Sequence, residues 1–222
     1  MKKALFLLPL VLALAGFSTA SRAQEAKAGD AAKGANKAAM FIGCHGIVGY
    51  QASFPEVYKV PMIAGQGAKY IASALTAYQK GDRKHPTMRG IAAPLTEQDM
   101  ADLGAFYEAQ GKGAGGTPAP TALASPVPDA LKDRMAACVA CHGANFSKPI
   151  DPSYPKLAGQ HADYLAVTLH AYSVTGNPQV GRSNAIMAGQ VKQFSRADLK
   201  ALAKYIGSLP GELATVPQSR FR

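Results

Sequence analysis

The sequence predicts an all-α protein of two tandem domains, and three observations carry that prediction. Residues 61–78 recur without a gap as residues 155–172. Pro61, Ala64, Gly65, Gln66, Ala68, Tyr70, Ala72, Leu75, Ala77 and Tyr78 return as Pro155, Ala158, Gly159, Gln160, Ala162, Tyr164, Ala166, Leu169, Ala171 and Tyr172, ten identities in eighteen positions. Chance gives about one, and a period close to a hundred residues means two whole domains, not a solenoid of short units. Second, each half ends in an amphipathic segment opened by a capping pattern. Third, no segment alternates apolar and polar residues with period two, so no strand is predicted.

In chain order, Lys2 and Lys3 precede an apolar run over residues 4–17, shorter than the roughly 20 residues of a membrane span. Ser21 and Ala23 supply small residues at the −3 and −1 positions. Residues 1–23 therefore read as a secretory signal peptide cleaved after Ala23, with Ala20 as the alternative site and an uncleaved anchor as the other arrangement. Export to the bacterial periplasm follows. The first domain is expected over residues 24–110, a Gly-, Ala-, Thr- and Pro-rich linker over 111–128, and the second domain over 129–222. Each domain is small for a hydrophobic core alone, so a buried prosthetic group would add much of the missing apolar area.

A helix is expected from Asp30, a candidate N-cap, into Cys44. Its counterpart starts near Asp129 and carries Leu131, Met135 and Cys138 on one face. Loops at 47–63 and 144–157 lead into helices at 69–80 and 163–174. Thr96-x-x-Asp99 opens the last helix of the first domain, with Met100, Leu103, Phe106 and Tyr107 as its apolar face. Ser195-x-x-Asp198 opens the last helix of the second, with Leu199, Leu202, Tyr205 and Ile206.

The formal net charge is +10. The basic residues are scattered, with no dense Lys/Arg run, which together with export excludes nucleic acid as a partner. A positive face suits an acidic redox partner or an anionic membrane surface, giving a possible peripheral membrane association; an ordinary solvated surface is the alternative.

Cys138-Val139-Ala140-Cys141-His142 carries the chemistry. Helical spacing puts both cysteines on one face, so each thiol can form a thioether to a haem vinyl group while His142 reaches the iron. A zinc site would need four ligands, and the one other cysteine is Cys44. A thioredoxin-like dithiol would need a βαβ setting. The first domain has the same motif with one change: Phe41-Ile42-Gly43-Cys44-His45 places Phe where Cys138 stands. Thioether attachment accounts for all three cysteines. The expected cofactors are two haems c, the first held by a single thioether through Cys44. A non-covalent or inefficiently loaded first haem and an empty first domain are the alternatives. Retention of His45, Met88, Pro61 and Arg83 favours an occupied site.

The repeat also selects the second axial ligand. Aligning the last helices pairs Met88 with Met187 and Arg83 with Arg182. Outside the signal peptide, Met88 is the one methionine whose repeat partner is also methionine. His45 and Met88, and His142 and Met187, are therefore the candidate iron ligands. A His/Met pair raises the reduction potential and fills both axial positions, which favours electron transfer over catalysis. His85, His161 and His170 lack histidine partners in the repeat and read as solvated or locally bonded. A carbonyl at Pro61 and Pro155 could accept from the axial histidine Nδ1–H, or the prolines could only shape the loop. Arg83 and Arg182 could meet haem propionates or lie at the surface.

With these motifs the chain resembles the cytochrome c4 family of bacterial di-haem cytochromes c. The resemblance covers nearly all of the chain after the signal peptide. It rests on the two Cys-His-Gly sites, the two Pro-x-x-Ala-Gly-Gln stretches, the two late methionines and the linker. It implies two tandem class I cytochrome c domains and a periplasmic, often membrane-associated carrier with no catalytic residues. Implied partners are a quinol-oxidising complex or dehydrogenase as donor and a haem-copper terminal oxidase as acceptor. Phe41 departs from the family pattern, which has cysteine there. A peroxidase-like haem enzyme with one open iron and a dedicated cytochrome subunit of a dehydrogenase are the competing functions.

Overall fold

The computed structural model describes residues 28–112 and 127–217. The expected signal peptide and nearly all of the expected linker lie outside them. The first domain contains α1 (Ala31–Lys37), α2 (Ala39–His45), β1 (Gln51–Ala52), β2 (Tyr58–Lys59), α3 (Ala68–Lys80), β3 (Arg83–Lys84), α4 (Pro86–Ala92) and α5 (Glu97–Gly111). The second begins with a 3-10 turn at Asp129–Leu131. It continues through α6 (Lys132–His142), α7 (Ala162–Ala171), β4 (Gly181–Arg182), α8 (Ala185–Val191) and α9 (Arg196–Ser208).

Asp30 caps α1, its side chain accepting from the backbone N–H groups of Ala32 and Lys33. The expected single helix into Cys44 is interrupted at Ala38, which ends α1 and starts α2. α1 crosses α5 closely, because a Cβ on Gly34 would come within 2.1 Å of the Asp102 carbonyl oxygen. Asp102 is fully buried there and is satisfied by the Asp30 N–H, the Lys37 ammonium and the Gln98 amide. Both predicted capping boxes form, at Thr96/Asp99 on α5 and at Ser195/Asp198 on α9. α3 runs on to Lys80 and is closed by Gly81 in the left-handed conformation. α7 stops at Ala171, short of the predicted 174, and residues 172–174 continue as a turn.

α3 packs on α5, and α7 on α9, as the same unit used twice. The first core gathers Phe41, Ile42, Ile71, Leu75, Met100, Leu103 and Tyr107. The second gathers Leu131, Met135, Phe146, Leu165, Leu202 and Ile206. The predicted apolar faces of the last helices supply both cores, with Phe106 only partly covered.

The four strands were not expected. Each has two residues, too short to show alternation in sequence. β1 pairs with β2 inside the first domain, and β3 pairs with β4 across the domain junction, with Arg83 opposite Arg182. The segment after α9 returns to the first domain, where Ala214 N–H donates to the Ala64 carbonyl at 3.0 Å. Gly65 and Gly159, with φ of +85° and +76°, make the left-handed turns of the two Ala-Gly-Gln stretches.

Candidate functional site

His45 is the last residue of α2 and His142 the last of α6. His45 Nδ1 lies 2.9 Å from the Pro61 carbonyl oxygen, and His142 Nδ1 lies 3.1 Å from that of Pro155. A carbonyl only accepts, so both Nδ1 atoms carry the hydrogen and both Nε2 atoms keep a free lone pair. Burial pushes both imidazoles below the ordinary histidine pKa, against a smaller opposing effect of the proline carbonyl. They are thereby neutral, the form that ligates metal. Of the two roles open to Pro61 and Pro155, the geometry gives them the carbonyl partner of the histidine.

Met88 and Met187 lie in the first turns of α4 and α8. Each is positioned by the residue three before it. The Asn184 side-chain oxygen accepts from Met187 N–H at 2.9 Å. His85 does the same for Met88, with Nδ1 accepting at 3.3 Å, while its Nε2 meets the Tyr58 hydroxyl at 3.0 Å. His85 is a locally bonded histidine acting as the helix cap that asparagine provides in the other domain.

One cavity of about 670 Å³ reaches both halves. Its lining includes Cys44, His45 and Met88 from the first domain and Cys138, Cys141, His142 and Met187 from the second. All seven sequence-predicted site residues therefore border a common, mainly apolar space. All three cysteines are free thiols. Among the described residues no cluster of three or more His, Cys, Asp or Glu could hold a metal ion. Burial, followed by the neighbouring Cys141, pushes the Cys138 thiol up, opposite to the lowered pKa of reactive dithiols. A planar apolar macrocycle fits this donor set. Each half offers one neutral imidazole, one thioether sulfur and at least one free thiol around an apolar space.

Phe41 occupies the position of Cys138 and is 3% exposed. Its ring meets Tyr107 edge-on at 6.2 Å and lies 6.4 Å from the His45 ring. The first site thus gains a core contact where the second keeps a thiol.

Sequence reasoning missed the role of Gln66 and Gln160, although the repeat displayed both. Each is 4% exposed and spans the junction. Gln66 Nε2 donates to the Lys156 carbonyl and its Oε1 accepts from Lys156 N–H, both at 2.9 Å. Gln160 Nε2 donates to the Met62 carbonyl at 2.9 Å and its Oε1 accepts from Met62 N–H at 3.0 Å. Around this pair the Tyr58 and Tyr164 rings are 6.0 Å apart, and Lys59 N–H donates to Asp163 at 3.1 Å.

The family model described as cytochrome c matches residues 129–210. The chain is 33% identical to cytochrome c4 of Azotobacter vinelandii, over 94% of this chain and all of that one. It is 30% identical to the thiosulfate dehydrogenase electron acceptor of Stutzerimonas stutzeri strain A1501, over 88% of this chain and 94% of that protein. The crystal structure of reduced recombinant cytochrome c4 from Pseudomonas stutzeri superposes with a TM-score of 0.58 at 28% identity, covering 82% of this chain and all of that one.

Proposed function

The chain belongs to the cytochrome c4 family of di-haem electron carriers, and we propose that His45 and Met88 hold the iron of its first haem c and His142 and Met187 that of its second. Cys141 and Cys138 would anchor the second haem by two thioethers, and Cys44 the first by one. Each haem, when bound, supplies one-electron exchange between ferric and ferrous iron. The protein would ligate each iron through a histidine and a methionine, keep the space apolar and fix the imidazoles. The pairing of each histidine Nδ1 with a proline carbonyl, together with a methionine that is capped at its own helix start and lines the same cavity, is the observation that carries this reading.

Held by a histidine and a methionine, each iron would keep no position for substrate, which favours carriage of electrons over catalysis. Two relatives are named thiosulfate dehydrogenase electron acceptors, which supports a dehydrogenase as the electron donor. We place a haem-copper oxidase as acceptor and a quinol-oxidising complex as the alternative donor, with the protein in the periplasm. Among the described residues no helix is long and apolar enough to cross a membrane.

The test is the ferric spectrum of the purified protein. A sulfur–iron charge-transfer band with the intensity of two haems is expected. A high-spin component in the resting protein would favour the peroxidase-like reading with one open iron.

A further inference from the structure

The peptide group joining Pro61 to Met62 is held at both ends. Its carbonyl accepts from His45 Nδ1–H at 2.9 Å, and its N–H donates to Gln160 Oε1 at 3.0 Å. The peptide group joining Pro155 to Lys156 repeats this, taking His142 Nδ1–H at 3.1 Å and giving its N–H to Gln66 Oε1 at 2.9 Å. In both cases the histidine and the peptide belong to one domain and the glutamine to the other. We propose that Gln66 and Gln160 are positioning residues acting in a crossed sense: each tunes the axial histidine of the opposite domain through a single shared amide.

Amide resonance supplies the physical link. A peptide whose N–H is donating carries more electron density on its oxygen, and hydrogen-bond chains of this kind strengthen one another by perhaps 10–30% per bond. The glutamine therefore strengthens the Nδ1–H···O bond of the histidine. That bond sets ring orientation and raises the basicity of the ligating nitrogen. A more basic imidazole stabilises ferric over ferrous iron, so each glutamine lowers the potential of the haem across the junction. The amide orientation is fixed by its partners, because Nε2 faces a carbonyl and Oε1 faces an N–H at both places. Each Oε1 also accepts from the next residue in its own chain, Gly67 N–H and His161 N–H, both at 3.0 Å, which holds the glutamine in place.

Adhesion between domains alone would not be crossed in its effect, and that is the discriminating feature. The inference rests on the histidine ligation proposed above, so the haem content of the wild-type protein is measured first. Gln160→Met and Gln66→Met, in the full haem-loaded chain, remove donor and acceptor at matched length. The readouts are the redox titration of each haem and the proton resonance of each axial Nδ1–H in the reduced, diamagnetic protein. Gln160→Met should raise the potential of the His45 haem and move the His45 resonance upfield, leaving His142 in place. Gln66→Met should do the reverse. Equal movement of both haems, movement confined to the variant's own domain, or no movement overturns the proposal. If Gln160→Met opens the junction, seen as a larger hydrodynamic radius, Gln160→Glu decides. It keeps the acceptor, so the His45 resonance should stay downfield, and an upfield shift there overturns the proposal. A wild-type protein with one haem would contradict the first-site reading, and the crossing would still be tested at His142, which should respond to Gln66→Met and not to Gln160→Met.

Discussion

Arg83 and Arg182 are Cα partners in the antiparallel β3–β4 pairing at the domain junction. Each guanidinium lies over two tyrosine rings of its own domain, Arg83 over Tyr70 and Tyr78 at 5.1 and 5.7 Å, Arg182 over Tyr164 and Tyr172 at 5.8 and 5.7 Å. Each also donates to the hydroxyl of one of those tyrosines. Among the described residues neither forms a salt bridge with a carboxylate. Two like charges held together under burial are costly without anions nearby, and haem propionates would supply them. Arg83→Leu should lower the potential of the first haem and Arg182→Leu that of the second, because loss of a positive charge favours the ferric state. A unit charge about 10 Å away at an effective dielectric near 20 is worth roughly 1–2 kcal/mol, or roughly 40–80 mV for one electron. Potentiometric titration of each variant checks it. Lysine at either position should keep most of the potential, since it retains the charge while losing the planar fork.

Met88→Ala should open the iron of the first haem alone. About half of the sulfur–iron band intensity should vanish and a high-spin signal appear, with a lower potential for that haem because thioether ligation raises it. Met187→Ala should produce the same loss in the haem whose α-band has the ordinary position. Magnetic circular dichroism of the ferric proteins reads the lost band, and the α-bands of the reduced proteins show which haem has changed.

Phe41 is both a missing thioether and a core residue. Phe41→Ala should destabilise the protein by about 3–5 kcal/mol, as deletion of a buried phenyl ring does. Phe41→Cys should bring the α-band of the first haem into register with that of the second, read in the denatured haemochrome. A red shift that survives Phe41→Cys would mean that a thiol at position 41 does not reach the remaining vinyl group.

The α5 cap has a defined pH response. The Lys37 ammonium, then the Thr96 hydroxyl and N–H, hold the Asp99 carboxyl at about 2. Its unfolded value is about 3.9. A carboxylate depressed on folding contributes stability that is complete above the unfolded value and is lost as pH falls from about 4 through about 2. Thr96→Ala should cost about 1 kcal/mol at neutral pH, the usual worth of a cap. Asp99→Asn should flatten this part of the acid unfolding curve, followed by far-ultraviolet circular dichroism.

The features legible in the sequence were those set by neighbours a few residues apart. Asp30, Thr96/Asp99 and Ser195/Asp198 cap helices because capping depends on local spacing. The repeat made His45, Met88, His142 and Met187 candidates by pairing them. The two-residue strands were invisible because pairing across the junction needs no pattern in either strand. The break falls at the buried Ala38, where no Gly or Pro in the sequence marks a helix end. His85 escaped notice as a cap because an imidazole serves there only with Nδ1 unprotonated, the state that the Met88 N–H requires and that the Tyr58 hydroxyl permits by accepting from Nε2–H. Gln66 and Gln160 stood in plain view within the repeat. Their contacts became readable only once the two domains were juxtaposed, because each side-chain amide bonds to a peptide of the other domain.

The central claim is that two haems are carried, the first on a single thioether. Intact mass of the denatured protein together with its reduced pyridine haemochrome spectrum tests it most directly. Two covalently retained haem masses and two α-bands, one red-shifted by a surviving vinyl group, are predicted. A single haem mass, with one α-band at the ordinary two-thioether position, would contradict it.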